Sequence, residues 1–191
     1  MRIRARSDVV SSAGRAAHDL ALGAIIGGNL FGRMAMHPAL TDVSDKTERG
    51  KVLNRAWRRY GTVNSLALGA LLVTWLPARV SETRPRWLST RERRLAMAKD
   101  LSMGGVALTG LASAATGIAF SQQAPGGAVP MSSGHDPAAE TPARAATIKR
   151  VLNIMSAANL AAAIALVGVD SALAQANVRR PPLRRVLRHR Y

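Results

Sequence analysis

Three polar side chains, Asn29, Arg33 and His37, stand at spacings of four in an otherwise apolar stretch near the N-terminus. On a helix that spacing makes one stripe. A guanidinium or imidazole held in such a stripe is costly unless it is paired or reaches water, so the stripe is a candidate ligand or proton path. Arg33 lies only about one turn from the end of the stretch, within reach of a headgroup layer, and anchoring by snorkelling is its expected role. A second set, Met34, Met36, His37, Met131 and His135, offers thioether and imidazole donors suited to copper(I). Methionine is also the usual gap-filler of helix packing, and that is the role expected here. A third set, Asp19, Asp100 and Asp170, places one carboxylate near the end of each of three apolar stretches, with His18 and Lys99 beside the first two. Converging carboxylates draw cations or protons, but pairing with His18, Lys99 and nearby arginines is the expected outcome. Asn64 and Asn159 each interrupt a further apolar run.

Much chemistry is excluded at once. With no cysteine there is no disulfide, no thiolate-bound zinc, no iron–sulfur cluster and no covalent haem attachment. His18 and His37 fall on one helix about 28 Å apart, so they do not sandwich a haem within one protomer. No nucleotide loop, zinc-protease pair or Ser–His–Asp arrangement is visible. No cofactor and no enzymatic activity are expected.

The elements that must carry these side chains are long and apolar. Of the chain, 48% is hydrophobic but only 4% aromatic, a composition suited to lipid rather than to a packed soluble core. Uncharged runs at residues 61–78, 101–120 and 151–169 approach the roughly 20 residues that cross a hydrocarbon layer. A fourth run, from about residue 19 to 37, is broken by Arg33. Arg2, Arg4, Arg6 and Arg15 before this run also suit a cleaved signal peptide, but no small-x-small cleavage site follows.

The predicted fold is therefore an all-α integral membrane four-helix bundle. A basic arm (1–15) precedes a first span (16–40), then an outer amphipathic extension with the second span (46–78) and a basic cytoplasmic loop (79–99). A third span (100–120), a flexible outer loop (121–142), a fourth span (143–177) and a basic tail (178–191) follow. In the extension, Trp57 and Tyr60 are expected at the headgroups.

The formal charge of +16 does not point to nucleic acid, because the cations lie in blocks between apolar runs. Placing both termini in the cytoplasm puts 17 Lys and Arg residues inside and 10 outside, which sets the expected orientation in the plasma membrane. The chain also matches itself. Ala17-His18-Asp19-Leu20 corresponds to Ala98-Lys99-Asp100-Leu101, and Lys51-Val52-Leu53-Asn54 to Arg150-Val151-Leu152-Asn153. Two tandem helix hairpins forming a parallel repeat are expected. Gly23-x-x-x-Gly27 and Gly28-x-x-x-Gly32 are close-approach steps that serve packing within one chain or between two copies of a homo-oligomer.

The Gly-rich first span ends in His37-Pro38-Ala39-Leu40 and is followed by Arg49-Gly50-Lys51-Val52 and the pair Trp57 and Tyr60. In these features residues 20–72 resemble small bacterial four-helix membrane proteins of the copper-resistance D and anthrone-oxygenase-like pattern. The resemblance implies the fold and carries over no residue role. The function read from the sequence is a non-enzymatic accessory or scaffold subunit, its basic cytoplasmic segments meeting anionic lipid or an acidic protein partner. The alternatives are a small carrier or copper-handling protein, and an oxidoreductase accessory subunit sharing a cofactor across a dimer.

Overall fold

The computed structural model describes residues 2–81 and 89–178. Four long helices carry the chain: α1 (Arg2–Phe31), α2 (Lys46–Ser81), α3 (Thr90–Ser121) and α4 (Ala143–Val178). There is no β-strand among the described residues, only an isolated bridge between Met131 and Pro137. The expected all-α four-helix architecture is thus observed. The expected basic arm is not separate, because Arg2 to Arg15 form the first turns of α1. Parts of the basic inner loop (82–88) and almost all of the basic tail (179–191) lie outside the described residues.

Local sequence explains where these helices start and stop. At α3, Ser89 accepts a hydrogen bond from the Glu92 amide while the Glu92 carboxylate accepts from the Ser89 amide, so two otherwise orphaned donors are satisfied. Asp45 does the same for α2, accepting from the amides of Thr47 and Glu48 at 2.8 Å each. After α1 the chain makes a π-helical turn over Gly32–Met36, in which the His37 amide donates to the Gly32 carbonyl. Pro38 follows in the first turn of a short helical segment (His37–Ala39), where its missing amide costs no hydrogen bond, and a 3-10 turn (Leu40–Asp42) ends the helical path before α2.

α1 packs along α2 and α3 along α4, and the two hairpins meet chiefly through α1 against α4. One core cluster at mid-height joins all four helices through Leu22 and Ile25, Leu71, Met103 and Val106, and Leu166. A second, at the loop-bearing end, gathers Leu40, Leu53, Phe120, Val129, Met131 and Ala145. Among the described residues, two helices, α3 and α4, are long and apolar enough to cross a membrane.

The segment between α3 and α4 departs from its expected flexibility. It folds over the end of the bundle with Gly127, Val129, Met131, Gly134 and Ala138 buried. The Met131 amide donates to the Lys46 carbonyl at 2.9 Å, and Asn54 Nδ2 to the Gly127 carbonyl at 2.7 Å. Arg49 gathers three carbonyls, those of Val43, Thr41 and Ser132. Composition misled because Gly and Pro here serve close docking: a Cβ on Gly50 would strike the Val129 carbonyl, and one on Gly134 the His37 backbone.

Glycine packing is also uneven. Gly28 and Gly32 sit under the rings of Tyr60 and Trp57, whereas Gly23 and Gly27 face open space. The first of the two expected close-approach steps therefore makes no contact within the chain. Tyr60 and Trp57 likewise turn inward against α1 instead of lying outward at headgroups, Tyr60 Oη donating to the Ala24 carbonyl at 2.5 Å.

Candidate functional site at the loop-bearing end

The π-helical turn after α1 delivers Arg33, the short helical turn that follows it delivers His37, α2 delivers Trp57, the α3–α4 segment delivers His135, and α4 delivers Lys149, Asn153 and Ser156. The α4 residues stand at i, i+4 and i+7, one face of the helix turned toward the stripe on α1. Trp57 Nε1 donates to His37 Nε2 at 3.2 Å, and His37 Nδ1 meets His135 Nε2 at 3.1 Å. Because an indole nitrogen only donates, His37 Nε2 carries no proton. A neutral His37 then holds its proton on Nδ1 and donates it to His135. The His135 carbonyl accepts from Asn153 Nδ2 at 2.9 Å, tying the segment to α4.

Arg33 turns toward α4. Its Nη2 donates to Ser156 Oγ at 2.7 Å and to the Asn153 carbonyl at 3.3 Å. The expected snorkelling anchor is replaced by a cross-link between hairpins, because the guanidinium finds carbonyl and hydroxyl acceptors on α4 within its own length. Lys149 is only 3% exposed, its ammonium 5.6 Å from the centre of the Phe120 ring. His135 is held below the ordinary histidine range, first by burial and then by the charges of Lys149 and Arg33. The nearby carboxylate of Asp136 is engaged by Ser133 Oγ at 2.9 Å.

This arrangement suits a cation poorly. Both imidazole lone pairs are occupied, that of His37 by Trp57 and that of His135 by His37, and two cationic side chains stand behind them. Of the five proposed soft donors, His37 and His135 are adjacent. Met131 is fully buried in the apolar cluster, Met36 packs against that cluster, and Met34 is 75% exposed. No group of three or more His, Asp or Glu suited to a metal ion occurs among the described residues.

The opposite end holds a second polar cluster. His18 Nε2 of α1 donates to Asp170 Oδ2 of α4 at 2.9 Å, and Lys99 Nζ of α3 to Asp170 Oδ1 at 2.6 Å. His18 Nδ1 lies 3.3 Å from Thr74 Oγ1 of α2, so all four helices meet here. Asp100 accepts from Trp75 Nε1 at 3.3 Å and Asp19 is exposed, so the three carboxylates do not converge on one point.

The asparagines of the apolar runs part company. Asn159 donates to the Val106 carbonyl at 2.9 Å and to Thr109 Oγ1 at 3.1 Å, bridging α4 to α3. Asn29 donates to the Ile25 carbonyl of its own helix at 3.0 Å. Asn64 Oδ1 is buried without a hydrogen-bond partner. Sequence reasoning missed Trp57, Lys149, Asn153 and Ser156 as site residues. For the three α4 residues the i, i+4, i+7 spacing, comparable to that of Asn29, Arg33 and His37, was the available signal. No family model, no curated protein and no solved structure matches this chain.

Proposed function

We propose that this chain is a four-span protein of the plasma membrane, with both termini cytoplasmic, acting as a non-enzymatic scaffold or accessory subunit. The observation that carries the reading is a belt of exposed apolar side chains on every helix: Leu20 at 75%, Leu66 at 71%, Leu101 at 75% and Ile154 at 61%. Between the two polar clusters no helix carries a charge at residues 20–32, 61–76, 101–121 or 151–169. A surface of this extent is stable against lipid and adhesive in water. The polar residues support a scaffold because they are committed to holding helices: Arg33 to Ser156, His37 to Trp57 and His135, and His18 and Lys99 to Asp170.

The test combines topology with composition. Reporter fusions after Arg190 should read cytoplasmic and one at Gly134 external, and the chain should resist carbonate extraction. Gentle solubilisation should then recover one partner in fixed stoichiometry. An external tail overturns the topology, and recovery of the chain alone overturns the accessory role.

A second reading, a small metal-handling carrier, draws on the His37–His135 contact at 3.1 Å. It requires the imidazoles to part and His37 to move its proton to Nε2, where the Trp57 donor stands. Copper(I) bound by wild type as tightly as by Trp57→Phe would favour a carrier over a scaffold.

A further inference from the structure

The first turns of α2 carry Lys51, Arg55, Arg58 and Arg59, four cations on adjoining faces of the helix. Lys51 is paired with Glu48 at 3.1 Å, whereas no described carboxylate pairs with the three arginines. They border an open cavity of about 350 Å³ together with Gly126. Beside it, between α1 and α2, lies an apolar cavity of about 330 Å³ lined by Phe31, Met36, Trp57, Tyr60 and Val63, with Gly28 and Gly32 at its back. Arg59 lines both. Gly28 and Gly32 leave room for the Tyr60 and Trp57 rings, which form part of the apolar cavity's wall.

We propose that this double groove binds one anionic phospholipid, its acyl chain in the apolar cavity and its phosphate on Arg55, Arg58 and Arg59. Each part of the ligand answers a feature of the groove. A volume near 300 Å³ is that of a small-molecule site, and an apolar wall open to the belt of exposed side chains admits a hydrocarbon chain. Three uncompensated arginines at the edge of that belt supply forked donors for a phosphate. A zwitterionic headgroup brings its own ammonium and gains less from them. Free phosphate satisfies the arginines but leaves the apolar cavity unfilled. The proposal rests on the membrane reading.

The experiment uses the purified full chain in mild detergent, with thermal unfolding and native mass spectrometry after adding phosphatidylglycerol, phosphatidylcholine or inorganic phosphate. Phosphatidylglycerol should stabilise and stay bound, and the other two should not. Arg55→Gln with Arg59→Gln should weaken phosphatidylglycerol binding about 30-fold, equivalent to about 2 kcal/mol. Val63→Trp, at an exposed cavity wall, should weaken it while leaving the charges in place. Equal retention of the two lipids, the same stabilisation by phosphate alone, or wild-type binding in both variants would overturn the proposal. Carbonate extraction reads the membrane assignment separately. A chain released by carbonate overturns the spanning reading, whereas a resistant chain without lipid preference overturns only the groove.

Discussion

The indole of Trp57 donates to His37 Nε2 at 3.2 Å, and this one bond decides which way the His37–His135 contact runs. With Nε2 occupied as an acceptor, the proton of His37 sits on Nδ1 and points at His135. Trp57→Phe keeps the ring and removes the donor, so His37 should become a mixture of tautomers. Stability should fall by about 1 kcal/mol, the net worth of one hydrogen bond. Nitrogen chemical shifts of the imidazole check this, and an unchanged single tautomer in the variant would show that Trp57 does not set it.

Arg33 tests the link between the hairpins. Both of its bonds, to Ser156 Oγ and to the Asn153 carbonyl, come from Nη2 at the far end of the guanidinium. A lysine ammonium sits one bond closer to the backbone and ends short of that position, so Arg33→Lys should lose most of what Arg33→Leu loses, roughly 1.5–3 kcal/mol for a charged hydrogen bond. Ser156→Ala should lose part of it. A lysine variant with wild-type thermal stability would restore the snorkelling role expected from sequence.

The glycines of α1 separate contact from decoration. A side chain at Gly28 collides with the Tyr60 ring, while one at Gly27 meets nothing within van der Waals reach. Gly28→Ala should therefore cost about 1–3 kcal/mol through overpacking, and Gly27→Ala should change stability by less than about 0.5 kcal/mol. Equal loss in both variants would mean that a second copy of the chain covers Gly27.

How far these relationships could be read from sequence depends on what each signal measures. Hydropathy and length report burial averaged over a helix, so the four helices and their order were legible. Charge interruption inside the first run was also legible, but the destination of Arg33 was not. A stem that reaches headgroups equally reaches a neighbouring helix, and only the position of α4 chooses between them. The 121–140 segment failed for a different reason. Gly and Pro mark both mobile loops and tightly docked ones, and the collisions that Gly50 and Gly134 avoid are set by residues far away in sequence. The His37–His135 contact was half visible, since both residues stood in one donor set, but the Trp57 bond that fixes its tautomer has no sequence signature.

pH should act through His135. Its folded-state value is depressed below the ordinary 6.5 by burial first and then by Lys149 and Arg33. In acid the unfolded chain takes up a proton at this position before the folded one does, so the stabilising contribution is complete above about pH 6.5 and is lost as pH falls toward the depressed value. His135→Gln should remove that part of the acid sensitivity. Thermal unfolding at a series of pH values checks the sign, and a wild type that grows more stable between pH 6.5 and 5 while the glutamine variant does not would reverse it.

The last prediction concerns Asp170, the carboxylate at which the far end of the bundle is joined. It accepts from His18 of α1 and Lys99 of α3 while belonging to α4, and His18 in turn lies against Thr74 of α2. Removing this one group leaves an imidazole and an ammonium of low exposure without their anion. Breaking a largely buried pair by deleting one partner typically costs about 3–5 kcal/mol, and the residual exposure of about a fifth on Lys99 and Asp170 places the expected loss at the lower end. Asp170→Ala should accordingly be far more damaging than Asp19→Ala, whose carboxylate is exposed. Replacing Lys99 and Asp170 together should cost less than the two single losses added, because neither charge is then stranded. Thermal unfolding in detergent of the two singles, the double and Asp19→Ala decides the matter. Additive losses for Lys99 and Asp170 would mean that the bond at 2.6 Å contributes nothing, and that mid-height apolar packing alone holds this end together.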